Sequence, residues 1–207
     1  MGYSTTFNGS FTIDRPVDDE TDKLLHGLAS TRRMKRDVAK LGKRVHKKAR
    51  ATKADIAAWT KEFGDQGEFW VGDSTDCGQN RTDDIIDYNG PPDSQPGLWC
   101  AWGIQEDRQT IEWDGGEKFY KYVEWIKYFI EKILAPRGYT LNGSVTWQGE
   151  DDADAGQIEI VDNAVSEKWR VSFFLNAVDA GRVTKIVNDY LESPLKEVMD
   201  HKLDGGA

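Results

Sequence analysis

Apolar positions alternate at the start of the chain. Tyr3, Thr5, Phe7, Phe11 and Ile13 fall on one side of a two-residue period around Asn8-Gly9, which predicts a half-buried strand with a bulge or tight bend at the glycine. The strand ends at Asp14-Arg15-Pro16, and Asp18, Asp19, Glu20 and Asp22 precede Leu24, Leu25 and Leu28. Acids near the positive end of a helix dipole predict a short helix there, ending near Ser30. From Val38 the spacing lengthens: Val38, Leu41, Val45, Thr52, Ile56, Trp59 and Phe63 recur at intervals of three, four or seven. That period predicts an amphipathic helix to about Phe63, with two helices parted near Gly42 as the alternative and Gly64 and Gly67 as the stop.

Residues Gly72 to Gly97 hold six Asp, four Gly and three Pro among few apolar residues, a composition that predicts turns. Leu98 to Ile104 and Thr110 to Trp113 then read as a hairpin turning at Glu106-Asp107-Arg108-Gln109. After Asp114-Gly115-Gly116 comes the strongest helical signal. Phe119, Val123, Ile126, Ile130 and Ile133 form one stripe, and Tyr122, Trp125 and Phe129 form its neighbour, before Pro136 and Gly138 stop the run. Asp114 reads as the cap of this helix, with Glu117 near its positive end and paired to Lys121. Tyr139 to Trp147 and Gln157 to Asp162 alternate as strands on either side of the acidic turn Gly149 to Gly156, and Trp169, Val171, Phe173 and Leu175 alternate as one more. Val183, Ile186, Val187, Tyr190 and Leu191 predict a final helix, and Ser193-Pro194 opens another.

The expectation is an α+β fold, an antiparallel sheet of about five to six strands packed on one long amphipathic helix, with an inserted basic helical arm and C-terminal helices. Residues 1–175 would form the α+β domain, interrupted by the basic insertion at about 31–66, and residues 176–207 a helical extension.

Charge adds the next clue. Between Arg32 and Lys53 stand eleven Lys or Arg and one acid, so this segment carries +10 while the rest of the chain carries −19, for a net −9. A basic arm on an acidic body speaks to partners more than to catalysis. Two cysteines, Cys77 and Cys100, make neither a CxxC pair nor a disulfide framework. The opening residues lack a basic region followed by an apolar run, and no segment approaches the ~18 apolar residues of a membrane span. A cytoplasmic protein with two reduced thiols and no membrane partner is expected.

Several strings resemble an uncharacterised family of small proteins of bacteriophage and prophage genomes. They are IIDYNGPPDSQPGLWCAW from Ile85 to Trp102, EWDGGEKFYKYVEWIKYFIE from Glu112 to Glu131 and GYTLNGSVTWQGEDDADAGQIEIVDN from Gly138 to Asn163. The opening GYSTTFNGSF and TRRMKRD, Thr31 to Asp37, resemble it too, whereas Val38 to Phe63 and the part beyond Trp169 depart from it. The resemblance implies a phage-associated accessory protein that works in the cytoplasm of its host. It implies no activity, cofactor or catalytic residue.

The residues themselves leave three functional readings. A non-enzymatic protein would bind a host protein, such as a defence or nucleic-acid-processing factor, and its acidic body would permit mimicry of nucleic acid. RNA, DNA or the ribosome would instead be bound by the arm through Arg32, Arg33, Lys35, Arg36, Lys40, Lys43, Arg44, Lys47, Lys48 and Arg50, cations that match phosphates. Against this stands docking of the arm on the protein's own acidic surface. A metal-dependent hydrolase built on Asp83, Asp87, Asp114 and Glu117 is the third reading. Glu150 to Asp154 lacks EF-hand spacing and reads as a solvated turn, His26, His46 and His201 all stand outside the aromatic block, and Cys100 reads as a buried small hydrophobe between Trp99 and Trp102. No GxSxG, P-loop or GxGxxG occurs. No catalytic residue, metal ligand or cofactor is assigned. Pro-Pro-Asp-Ser-Gln-Pro-Gly, Pro91 to Gly97, reads either as a rigid rim over a pocket or as an ordinary extended connector.

Overall fold

The structure is a computed structural model, and it describes residues 2–72 and 76–169. The chain divides into two units, Met1–Val171 and Ser172–Ala207, and every described residue belongs to the first. The expected strand through Leu175, the helices beyond it and the boundary at 175/176 lie outside the described residues.

Thr5–Ile13 (β1) runs at the centre of a six-stranded antiparallel sheet. Its neighbours are Thr110–Trp113 (β5) on one side and Leu141–Gly149 (β6) on the other. Trp102–Ile104 (β4) lies beyond β5, and Ala155–Val161 (β7) and Ala164–Trp169 (β8) follow β6. Side chains of one parity face inward, so Phe11, Ile13, Trp102, Ile104, Ile111, Leu141, Val145, Trp147, Ile158 and Ile160 are all buried. No bulge forms at Gly9, because β1 and β6 pair without a shift from Thr5↔Gly149 to Ile13↔Leu141. The glycine answers a different need. Gly9 and Gly143 both have positive φ, and a Cβ would lie 2.5 Å from the Ser144 carbonyl oxygen in the first case and 2.6 Å from that of Ser10 in the second, so only glycine lets the two strands approach here. β8 was not anticipated. Asp162 and Asn163 both take left-handed backbone and join it to β7 in a two-residue turn, the hairpin geometry that residues of this type favour.

Helices cover the inner face. Asp19–Ser30 (α1) is capped by the Asp18 side chain, which accepts from the Thr21 N–H, and it contributes Leu24, Leu25 and Leu28 to the core. The second helical run starts at Tyr122, later than expected, and is not one regular helix. Tyr122–Tyr128 (α4) is α-helical, Phe129–Leu134 widens to π geometry and Ala135–Arg137 tightens to a 3₁₀ turn, after which Gly138 turns left-handed. The wide turn lets the paired apolar residues Phe129, Ile130, Ile133 and Leu134 all face inward. Asp114 caps nothing in this run. It accepts from the Gly116 N–H in a tight turn, and the left-handed residues Lys118 and Lys121 delay the helix. Those two reversals send Phe119 inward onto Phe7 and Trp102, while Tyr120 points outward at 55 % exposure.

The basic insertion is not one helical arm. Lys35–Arg36 (β2) is extended and pairs with Ile85–Asp87 (β3) in a small ribbon. Val38–Val45 (α2) and Lys53–Phe63 (α3) then form two helices. The break falls at His46 to Thr52 rather than at Gly42. Lys47 turns left-handed, and Thr52 opens α3 with a capping box shared with Asp55. Gly42 sits inside α2 for packing reasons, since a Cβ there would lie 2.1 Å from the Trp59 ring. Val38, Leu41, Trp59 and Phe63 make a second, smaller core, with Trp70 packed against it.

Candidate functional site: an internal arginine cluster and two clefts

The ten candidate cations from Arg32 to Arg50 divide by depth. Arg33 is fully buried and donates to the carbonyls of Trp70 at 2.7 Å, Glu68 at 2.8 Å and Gly67 at 3.2 Å, and to the Gln95 side chain. Gln95 in turn donates to the Glu68 carbonyl and to the Tyr128 hydroxyl. The Gly67–Trp70 turn, the proline-rich loop and α4 are thereby tied to one guanidinium. Burial lowers the Arg33 pKa to about 10, so it stays charged at neutral pH. Arg36 is also buried, stacks on the Trp70 ring at 3.9 Å from its centroid and donates to Asp84 Oδ2 at 2.7 Å and the Gly78 carbonyl at 3.1 Å.

Asp84 joins the two layers. Arg44 at the end of α2 grips the same carboxylate, Nε to Oδ1 at 2.7 Å and Nη2 to Oδ2 at 3.1 Å. Burial works to raise the Asp84 pKa, but hydrogen bonds from Arg44, Thr82 and Arg36 prevail and hold it at about 2. Arg33 and Arg36 are therefore corrected from partner-binding candidates to internal structural groups, because neither presents its head to solvent. Arg32 is half-buried between Tyr88 and Trp99 and donates to the Tyr88 carbonyl. Lys35 pairs with Asp93, and Lys48 with Asp55. Among the described residues Lys40, Lys43, Lys47 and Arg50 make no ion pair, and all but half-buried Lys43 are exposed. Lys40, Lys43 and Arg44 line an open cleft of about 680 Å³ against Thr82, Asp83 and Asp84.

The four carboxylates of the hydrolase reading do not assemble. Asp87 accepts from the Asn89 N–H and Asp114 from the Gly116 N–H, each within its own turn. Among the described residues no three His, Cys, Asp or Glu side chains gather as a metal-binding group. No described helix is long and apolar enough to cross a membrane. Cys100 is buried, and burial pushes its thiol far above the usual range, which disfavours the reactive thiolate.

A second cleft, of about 740 Å³, is lined chiefly by apolar atoms. The Pro91–Ala101 stretch supplies one wall, with Pro91, Pro96 and 41 %-exposed Trp99, and the segment Asp114–Lys121 supplies the other, with Phe119 and Tyr120. Charges of both signs, Asp114, Glu117, Lys118 and Lys121, stand among its lining residues. Gly97 lines this cleft, and the Trp125 indole N–H, buried and without a partner among the described residues, lies 3.7 Å from where a Gly97 Cβ would stand. The Pro91–Gly97 string admits a rim or an extended connector alike, and Pro91, Pro96 and Gly97 line this cleft. The second wall was not foreseeable, because it depends on the left-handed turns at Lys118 and Lys121 that expose Tyr120.

Comparison of the chain with family models, with curated proteins and with solved structures finds no match in any of the three.

Proposed function

We propose that this chain is a non-enzymatic accessory protein of the phage type that acts by binding a host protein, through the aromatic cleft between Pro91–Ala101 and Asp114–Lys121. The observation that carries the reading is the exposure of Trp99 and Tyr120 on opposite walls of an apolar cleft. Large aromatics with low rotamer entropy, ringed by polar groups, are the usual centres of binding energy in protein interfaces. The partner segment would insert one apolar or aromatic side chain between these rings and meet Asp114, Glu117, Lys118 and Lys121 with charges at its flanks. The phage context comes from the sequence resemblance alone. The basic segment supports this fold internally through Arg33 and Arg36 and leaves its outer lysines for a separate role.

The test is capture from host lysate after nuclease treatment, followed by titration of the purified captured protein against wild type and a Trp99→Ala, Tyr120→Ala variant. A host protein that binds wild type stoichiometrically and loses at least tenfold in affinity for the variant supports the cleft. A captured protein that binds the variant equally well, or no capture once nuclease has acted, overturns it.

A further inference from the structure

We propose that the cleft between α2 and the Thr82–Asp84 turn is a phosphate site for a nucleic-acid backbone. It is independent of the aromatic cleft, and its failure would leave that reading standing. Lys43 and Arg44 lie three and four residues, one turn, beyond Lys40 on α2, spacings that bring each near the Lys40 side chain, and all three line the cleft. The acids of the opposite wall are Asp83 and Asp84, but Asp84 is matched by Arg36 and Arg44 together. The three lining cations and two carboxylates leave the cleft with an excess of one positive charge, and the buried Arg36 behind Asp84 offsets part of that carboxylate's field.

Arg44 is the pre-formed element. Asp84 holds it through Nε and Nη2, so its planar fork is fixed while Nη1 makes no hydrogen bond among the described residues and the side chain is 39 % exposed. A guanidinium immobilised on one edge and free on the other presents donors to a phosphate oxygen at little further cost in entropy. Lys40 and Lys43, without ion pairs among the described residues, complete the donor set, and the Thr82 hydroxyl lies on the opposite wall. A chain of phosphates fits better than a single one. Lys47, Arg50 and Lys53 follow α2 in the chain and are all exposed, and polyanion binding gains from release of counterions at each contact.

The experiment is fluorescence anisotropy of the full chain with labelled duplex DNA and single-stranded RNA across a salt series, with inorganic phosphate as a separate probe. Lys40→Glu with Lys43→Glu is expected to weaken binding about tenfold or more and to lower the slope of log affinity against log salt by about one per lost contact. A control carrying the same charge change, Lys23→Glu with Lys132→Glu on exposed positions elsewhere, is expected to bind as wild type. Lys40→Gln with Lys43→Gln, which adds no acid beside Asp83, should rank between them and guards against misfolding of the reversal. Three results overturn the proposal: no binding of either polymer at low salt, equal losses in control and test variants, or saturation by inorganic phosphate without binding of the polymers. Preference between DNA and RNA identifies the source of the phosphates.

Discussion

Asp84→Asn removes one negative charge from a place where two guanidinium groups converge, and its cost follows from depth. Both Asp84 and Arg36 are 1 % exposed at their side chains, whereas Arg44 is 39 % exposed. Taking one partner from a buried pair leaves the other charge uncompensated, a loss of about 3–5 kcal/mol. The lower end applies here, because Arg36 keeps the Gly78 carbonyl and its stack on Trp70. For a chain of this size a loss of ~3 kcal/mol lowers Tm by roughly 6–12 °C. Arg44→Gln leaves the buried Arg36–Asp84 pair intact but takes from the buried Asp84 Oδ1 its Arg44 partner, and should cost about 1–2 kcal/mol, less than Asp84→Asn. The carboxyl of Asp84 titrates lower in the folded chain, at about 2, than its ordinary value of 3.8. Its stabilising contribution is thus complete above pH 4 and lost as pH falls toward 2. Urea melts followed by tryptophan fluorescence should show the gap between wild type and Asp84→Asn at pH 7 narrowing below pH 4. A cost under ~1 kcal/mol at pH 7, or a gap that does not narrow on acidification, would refute the claim that this ion cluster holds the basic segment to the body.

Other perturbations test separate joints. Gly42→Ala drives a methyl into the Trp59 ring and should destabilise the α2–α3 pair by about 1–3 kcal/mol, read as a lower urea midpoint. An unchanged midpoint would mean that the helices part easily. Thr52→Ala removes the capping box of α3 and should cost about 1 kcal/mol in the same melt, with no effect counting against that cap. In a thiol-labelling time course on the folded chain, half-exposed Cys77 should react while buried Cys100, its pKa raised by burial, does not. Labelling of Cys100 at a comparable rate would contradict its burial.

Alternation made most of the sheet legible. Phe7, Phe11 and Ile13 marked β1, and the strands around the Gly149 to Gly156 turn emerged as β6 and β7. Periodicity failed where left-handed backbone intervened. Lys118 and Lys121 are ordinary residues for a helix, and only the burial of Phe119 against Trp102 explains why the chain refuses helical geometry before Tyr122. Likewise Thr52 and Asp55 carry the signal of a helix start, a Thr followed three residues later by an acid, yet the apolar spacing across them continued without a visible break. The β7–β8 turn at Asp162-Asn163 carried a recognisable pair, and β8 escaped notice because most of its residues are exposed and show no clean alternation.

The candidate sites were legible in charge but not in depth. Composition could count the cations from Arg32 to Arg50, yet could not tell that Arg33 and Arg36 point into the body while Lys40 and Lys43 stand outside it. That division follows from the change of backbone at Asp37, which caps α2 by accepting from the Lys40 N–H. Before it, the extended residues Arg33 and Arg36 meet the carbonyls and carboxylate of the Gly67–Trp70 and Gly78–Asp84 turns. After it, the helix rotates the basic positions outward and gives Val38 and Leu41 to the second core. Arg44 stands at the join, one edge on Asp84 and the other facing the cleft. The same run of charge thus serves two ends, and the point of change is the N-cap of α2.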